Sequence, residues 1–181
     1  MRLVVHTDGG ARDNGKPNSV AAYGACGRWK DESGLVKKFT IVQRLDTETN
    51  NQMELRGVIT ALRIALKQDD TNDVSIVMDS AYVRNGITQW IENWKRNGWK
   101  TAAKKPVKNK ELWIQLDKLY TEAMNRFDLD MGKVKGHAGE YENEHIDSAC
   151  TWAMNNLEDK EIKAEWGEED HEDWKVVWTT T

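Results

Sequence analysis

VSIVMD, residues 74–79, is apolar except for Ser75 until it closes on an aspartate. A continuous apolar run of strand length marks a central strand buried on both faces. That reading requires helices on each side of a sheet, and the flanking sequence supplies them. Upstream, Leu55, Val58 or Ile59, Leu62 and Leu66 recur at helical spacing, which predicts an amphipathic helix over 51–67. Downstream the pattern predicts helices over 81–94 and 110–126, the second with Leu112, Leu116 and Leu119 on one face. A strand over 129–134 and a helix over 142–155 follow. Before the first helix lie three strand-like runs bounded by turns, 3–7, 21–29 and 35–42. Their connections are too short for helical crossovers, so they form an antiparallel meander. The sum is an α/β fold: a mixed five-stranded sheet, antiparallel meander plus parallel strands, flanked by helices.

The chain has 181 residues and 39% hydrophobic content, which fits one domain with a substantial core. No cationic stretch followed by a long apolar run opens the sequence, and no segment approaches the ~20 apolar residues of a membrane helix. A cytoplasmic protein, monomeric and without a membrane partner, is expected. Cys26 and Cys150 can form one bridge at most and match no paired metal-ligand spacing, so both read as reduced core residues.

The net charge of −4 is unevenly spread. Residues 158–173 carry nine acids and two lysines, a local charge of −7, which leaves +3 on the other 165 residues. Among those, WKRNGWKTAAKKPVKNK, residues 94–110, holds seven Lys or Arg, no acid, and the tryptophans Trp94 and Trp99. Cations that neutralise phosphates, interleaved with rings that pack on sugars and bases, make this a candidate nucleic-acid contact. The plainer reading is a solvated loop whose tryptophans belong to the core.

Two acids end strands. Asp8 closes the first strand, in VVHTDGG, and Asp79 closes the fourth; in open α/β sheets that edge is where ligands bind. If those strands are neighbours, the two carboxylates lie side by side. Each acid also has a dull reading. Asp8-Gly9-Gly10 reads as a turn, Asp79-Ser80 as a helix cap, and Asn51-Gln52-Met53-Glu54 as a capping box in which Glu54 only holds the helix start.

Read together, TDGG around Asp8, TETNNQMEL around Glu54, MDSAYVRNGITQWIENWKRNGWK around Asp79, KKPVKNKELW, and VKGHAGEYENEHID ending at Asp147 form an ordered series. The chain resembles type 1 ribonuclease H, of the bacterial type with a basic protrusion, a family that cuts the RNA strand of RNA/DNA hybrids. The resemblance runs from about residue 3 to residue 156. It implies a catalytic domain over 1–156 and leaves 157–181 as an acidic, tryptophan-containing extension. It also implies that Asp8, Glu54, Asp79 and Asp147 form a four-carboxylate cluster, with His137 on a loop beside it. Asn14, Asn50, Asn51 and Gln52 would approach the hybrid, Thr49 and Asn109 would hold a phosphate of the DNA strand, and Lys95, Arg96, Trp99, Lys100, Lys104 and Lys105 would form the protrusion. Ala81 stands where the family often has Gln, and Glu140 adds negative charge near the loop of His137.

Such a cluster has a physical requirement. Two carboxylates about 4 Å apart repel by roughly 4 kcal/mol at an effective dielectric near 20, so a cation must fill the site. Hard oxygen donors select Mg²⁺, with Mn²⁺ as a substitute, over zinc. A pair of ions would serve an in-line displacement at phosphorus. The resemblance implies 5′-phosphate and 3′-hydroxyl ends and a role in primer or R-loop removal. His137, between glycines, reads by itself as an exposed loop histidine; the resemblance makes it a proton shuttle. His6, His145 and His171 match no catalytic position. A hybrid-binding module without catalysis would share the fold and basic loop but has no use for four acids, and a resolvase or integrase core would lack TETNNQMEL and the protrusion. Beyond residue 156 the charge density predicts a solubilising or sheet-extending appendage. One further hypothesis is that its acids cover the basic protrusion.

Overall fold

In the computed structural model the described residues are 2–30, 33–34, 36–132 and 140–169. β1 (Arg2–Arg12) runs through the middle of the sheet. It pairs antiparallel with β2 (Val20–Lys30), which pairs antiparallel with β3 (Val36–Arg44), so the meander is as expected. On its other side β1 pairs parallel with β4 (Asp73–Met78), and β4 pairs parallel with β5 (Asp128–Gly132). Val74, Ile76 and Met78 are buried, as the unbroken apolar run of β4 requires.

Helices cover both faces. α1 (Asn50–Leu66) and α4 (Lys110–Arg126) pack on one face, where Leu3, Val5, Leu55, Leu62, Ile76, Trp113 and Leu116 join one large core. α5 (Glu140–Asn156) packs on the other through Ile146, Ala149, Cys150 and Ala153, against Ala22, Cys26 and Val42. Both cysteines are free and buried, as read from their spacing. After β4 the chain turns through α2 (Ala81–Asn85), a π-helical turn (Gly86–Trp90) and α3 (Ile91–Arg96), where the sequence pattern predicts one unbroken helix.

Among the described residues the sheet has six strands and not five. β6 (Ile162–Glu169) pairs antiparallel with the outer edge of β3, giving the order β5-β4-β1-β2-β3-β6. The cause is local. Trp166 sets its ring 5.3 Å from that of Phe39 and 6.3 Å from that of Trp29, while Arg44 donates to the carbonyls of Leu157 and Met154 and pairs with Asp46. Asp46 N in turn donates to Asp159 Oδ1, so the turn into β6 is tied down before the strand begins. The acids of β6 are therefore held at the edge of the sheet remote from β4 and β5. Among the described residues β6 lies away from the basic segment, which leads from α3 into α4. Among the described residues no helix is long and apolar enough to cross a membrane.

Candidate active site

Parallel pairing of β1 with β4 brings Thr7 opposite Met78, so Asp8, which lies inside β1 and not at its end, stands beside Asp79 just past the carboxyl end of β4. The turn reading of Asp8-Gly9-Gly10 does not hold: all three stay within β1 and pair with Gly24, Tyr23 and Ala22 of β2. Gly9 is needed for another reason. A Cβ there would lie 2.4 Å from the Met53 carbonyl carbon and 2.8 Å from Glu54 N, so its absence lets α1 seat directly on the strand. That contact delivers Glu54 beside Asp8.

The capping-box reading of Glu54 also fails. The cap of α1 is Thr49, whose hydroxyl accepts from Gln52 N while Gln52 Oε1 accepts from Thr49 N. Glu54, one turn in, is free to face the cleft, where its carboxylate accepts a hydrogen bond from Ser80 Oγ. Ser80 accepts from Val83 N as well, capping α2. The sequence shows this serine only as a cap; its second role depends on α1 and β4 being neighbours.

Asp147 comes from the opposite face of the sheet, on α5. A Cβ at Gly24 would lie 2.9 Å from Ile146 Cδ1, so this glycine allows α5 to settle close to β2 and β1. The Cys150 thiol donates to the Asp8 carbonyl oxygen at 3.8 Å. Two clefts result, with Thr7, Asp8 and Asp79 as their common wall. One, of about 110 Å³, is completed by Glu54, Met78 and Ser80; the other, of about 370 Å³, by Asn143, Glu144, Ile146 and Asp147.

The electrostatics follow from this crowding. Burial raises the Asp8 carboxyl to a pKa of about 7, opposed by the hydrogen bond from Gly9 N and reinforced by Asp147 and Glu54. Glu54 is raised by burial, with Ser80 pulling it down and Asp79 pushing it up. Among the described residues no three His, Cys, Asp or Glu side chains are drawn into a ready-made metal cage. The four acids instead surround the two clefts, a spacing consistent with like charges that repel. The donor set is all oxygen, which fits a hard divalent cation such as Mg²⁺ and does not fit zinc.

The other expected contacts fall into groups. Asn50 N donates to Asn14 Oδ1 and Asn50 Oδ1 accepts from Ala11 N, so Asn14, Thr49, Asn50 and Gln52 gather at the start of α1, with Asn51 half-buried among them. Asn109, in the left-handed region at φ 60°, donates its amide to Tyr82 Oη, which also receives Trp113 Nε1. In the basic segment Arg96, Lys100, Lys104 and Lys105 are exposed, and Lys95 pairs with Asp117 and Glu92. Trp99 rests 6.4 Å from Trp94, which meets Trp90 and Trp113. Trp94 and Trp99 also pack against the main core. His137 and His171 lie outside the described residues. His6 is buried, and His145 Nε2 lies 3.0 Å from Thr40 Oγ1.

Comparison with known proteins agrees with this architecture. The RNase H family model matches residues 1–155. A ribonuclease H of Hydrogenovibrio crunogenus is 48% identical over 157 residues, spanning 87% of this chain and 98% of the relative. One of Brucella anthropi is 48% identical over 153 residues, 84% of this chain and 90% of that protein. Among solved structures, LC9-RNase H1, described as a type 1 RNase H with the type 2 active-site motif, superposes with a TM-score of 0.69 at 25% identity, covering 85% of this chain and 72% of its own. The PFV RNase H domain, at 24% identity, a TM-score of 0.66 and 84% and 94% coverage, shares the fold. The chain belongs to the ribonuclease H family. It is a ribonuclease H enzyme, of the family that hydrolyses the RNA strand of RNA/DNA hybrids and works with divalent metal.

Proposed function

We propose that this chain is an endonuclease that uses two divalent ions, Mg²⁺ with Mn²⁺ as a substitute, held by Asp8, Glu54, Asp79 and Asp147. The observation that carries this reading is the position of Asp8 on the wall common to both clefts, with Asp79 beside it and Glu54 and Asp147 on either side. When bound, such ions supply Lewis-acid stabilisation of the attacking and leaving oxygens at phosphorus. Asp8, from the wall common to both clefts, would help hold the ions together with Glu54 and Asp79 at one cleft and Asp147 at the other. Ser80 orients Glu54 by its hydrogen bond. His137 moves protons at the reacting oxygens, and the products carry 5′-phosphate and 3′-hydroxyl ends.

The hybrid lies across the start of α1, where the amides of Asn14, Asn50, Asn51 and Gln52 meet 2′-hydroxyls and base edges. Thr49 and Asn109 hold a phosphate of the DNA strand. The exposed Arg96, Lys100, Lys104 and Lys105, with Lys95 and Trp99, engage the backbone, so sequence preference is weak. The domain over 1–156 carries the chemistry and 157–181 is an extension. The enzyme acts as a cytoplasmic monomer in primer or R-loop removal.

Labelled hybrid, duplex RNA and duplex DNA, each incubated with magnesium, manganese or chelator, test the substrate and the ion together. Cleavage confined to the RNA of the hybrid and lost in chelator is expected. Asp8→Asn should abolish cleavage while hybrid binding, followed by fluorescence anisotropy, persists; full activity in that variant overturns the assignment.

A further inference from the structure

α5 lays one stripe on the sheet: Glu142, Ile146, Ala149, Cys150 and Ala153, continued by Leu157 just beyond its end. Every member but the first is apolar. Glu142 is only 7% exposed, and its Oε1 meets Arg28 Nη2 of β2 at 3.2 Å. Polar groups surround the pair. His6, Cys26 and Thr40 form one cross-strand row of β1, β2 and β3, the Cys26 thiol lies 3.7 Å from the Glu142 carbonyl oxygen, and Thr40 Oγ1 meets His145.

For stability alone, an apolar side chain at 142 would seat the helix as well, because Arg28, whose side chain is 39% exposed, can turn its charge to water when its partner is gone. What the pair adds is direction. A smooth apolar stripe tolerates small rotations and slides of the helix, whereas a largely buried carboxylate held 3.2 Å from a guanidinium, with the Cys26 thiol on the same residue's carbonyl oxygen, favours one azimuth and one height. Five residues further along, Asp147 stands exposed at the margin of the same helix beside Asp8. A rotation of α5 would swing that carboxylate further than any residue of the stripe.

We infer that the Arg28–Glu142 pair is a positioning device that sets the register of α5 on the sheet and so holds the Asp147 carboxylate at the cleft. The inference rests on the reading of Asp147 as a metal ligand. Arg28 and Glu142 touch neither substrate nor ion; they act through Asp147.

The test replaces both partners in the full chain, Arg28→Met with Glu142→Leu, so that no buried charge is stranded. The double variant is expected to melt at or above the wild-type temperature. Its kcat on hybrid falls roughly tenfold or more, KM for hybrid stays within about twofold, and Mn²⁺ affinity, measured by calorimetry without substrate, weakens by a similar factor. Glu142→Gln, which keeps an oxygen for Arg28, recovers most of the kcat. A double variant with kcat within about twofold of wild type, with unchanged Mn²⁺ affinity, or with a kcat loss that merely follows its melting temperature overturns the inference. If the double variant does not fold, Glu142→Leu alone carries the same readings. Asp147→Asn run in parallel separates the two levels: an active Asp147→Asn variant removes the reading of the site, whereas an inactive one beside a fully active double variant removes this inference alone.

Discussion

His6 lies two residues before Asp8 on β1, buried under α5, and its imidazole is held neutral there. Burial lowers its pKa from 6.5 to about 4, with Glu142 opposing the shift and Arg28 adding to it. The unfolded chain therefore binds a proton that the folded chain refuses. The stability tied to His6 is whole above pH 6.5 and drains away as pH falls towards 4, by on the order of 3 kcal/mol. His145 is lowered by burial too and acts in the same direction. Asp8, raised to about 7, gains stability over the same interval, so urea unfolding at pH 7 and pH 4.5 should isolate the His6 contribution as a difference: a His6→Gln variant is expected to fare better on acidification than wild type. Gly9 is constrained as tightly by shape as His6 is by solvation. Gly9→Ala places a methyl 2.4 Å from the Met53 backbone, so α1 must lift from β1. The expected cost is roughly 1–3 kcal/mol, with a loss of cleavage greater than the fold change, since Glu54 moves with the helix. Thermal melts and cleavage rates on the same variant check both.

Among the elements, α1 is where structure and chemistry share residues. Thr49 and Gln52 close a reciprocal capping box and also stand where the hybrid is proposed to lie. Thr49→Ala should cost about 1 kcal/mol of stability through the lost cap. It should also raise KM for hybrid with little change in kcat, because Thr49 lines neither cleft. Calorimetric melts and steady-state kinetics separate the two effects. The segment between α3 and α4 shows the same economy in another form: its cations are outermost, while Trp94, Trp99 and Val107 root it in the main core. A rooted cationic loop can present charge to a phosphate backbone at less entropic cost than a free one.

For the whole molecule, the sixth strand, which realises the sheet-extending reading of the segment beyond residue 156, has the largest consequence. β3 would otherwise be an edge strand with an unpaired row of backbone groups and Phe39 beneath it, a template for association with other chains. Removing residues 162–181 should therefore lower the melting temperature and promote aggregation, while cleavage at temperatures below the new melting point survives. Differential scanning calorimetry and light scattering would detect this. The four carboxylates lie nearer β1 and β4 than β6, which is why activity and stability should part company here.

Much of this was legible in the chain. The unbroken apolar run of β4, the helical spacing of Leu55, Leu62 and Leu66, and the short connections of the meander are local signals, set by burial and by chain length, and each element formed where they indicated. Beyond residue 156 the charge density left a solubilising and a sheet-extending appendage both open, since charge says nothing about the aromatic pair, Trp29 on β2 and Phe39 on β3, that Trp166 meets. That Glu54 faces a cleft instead of capping its helix, that Ser80 serves two partners, and that a buried glutamate opens an apolar stripe were decided by tertiary contact alone. Spacing along a chain encodes which face a side chain takes; what stands opposite that face depends on residues tens of positions away, and only packing brings them together.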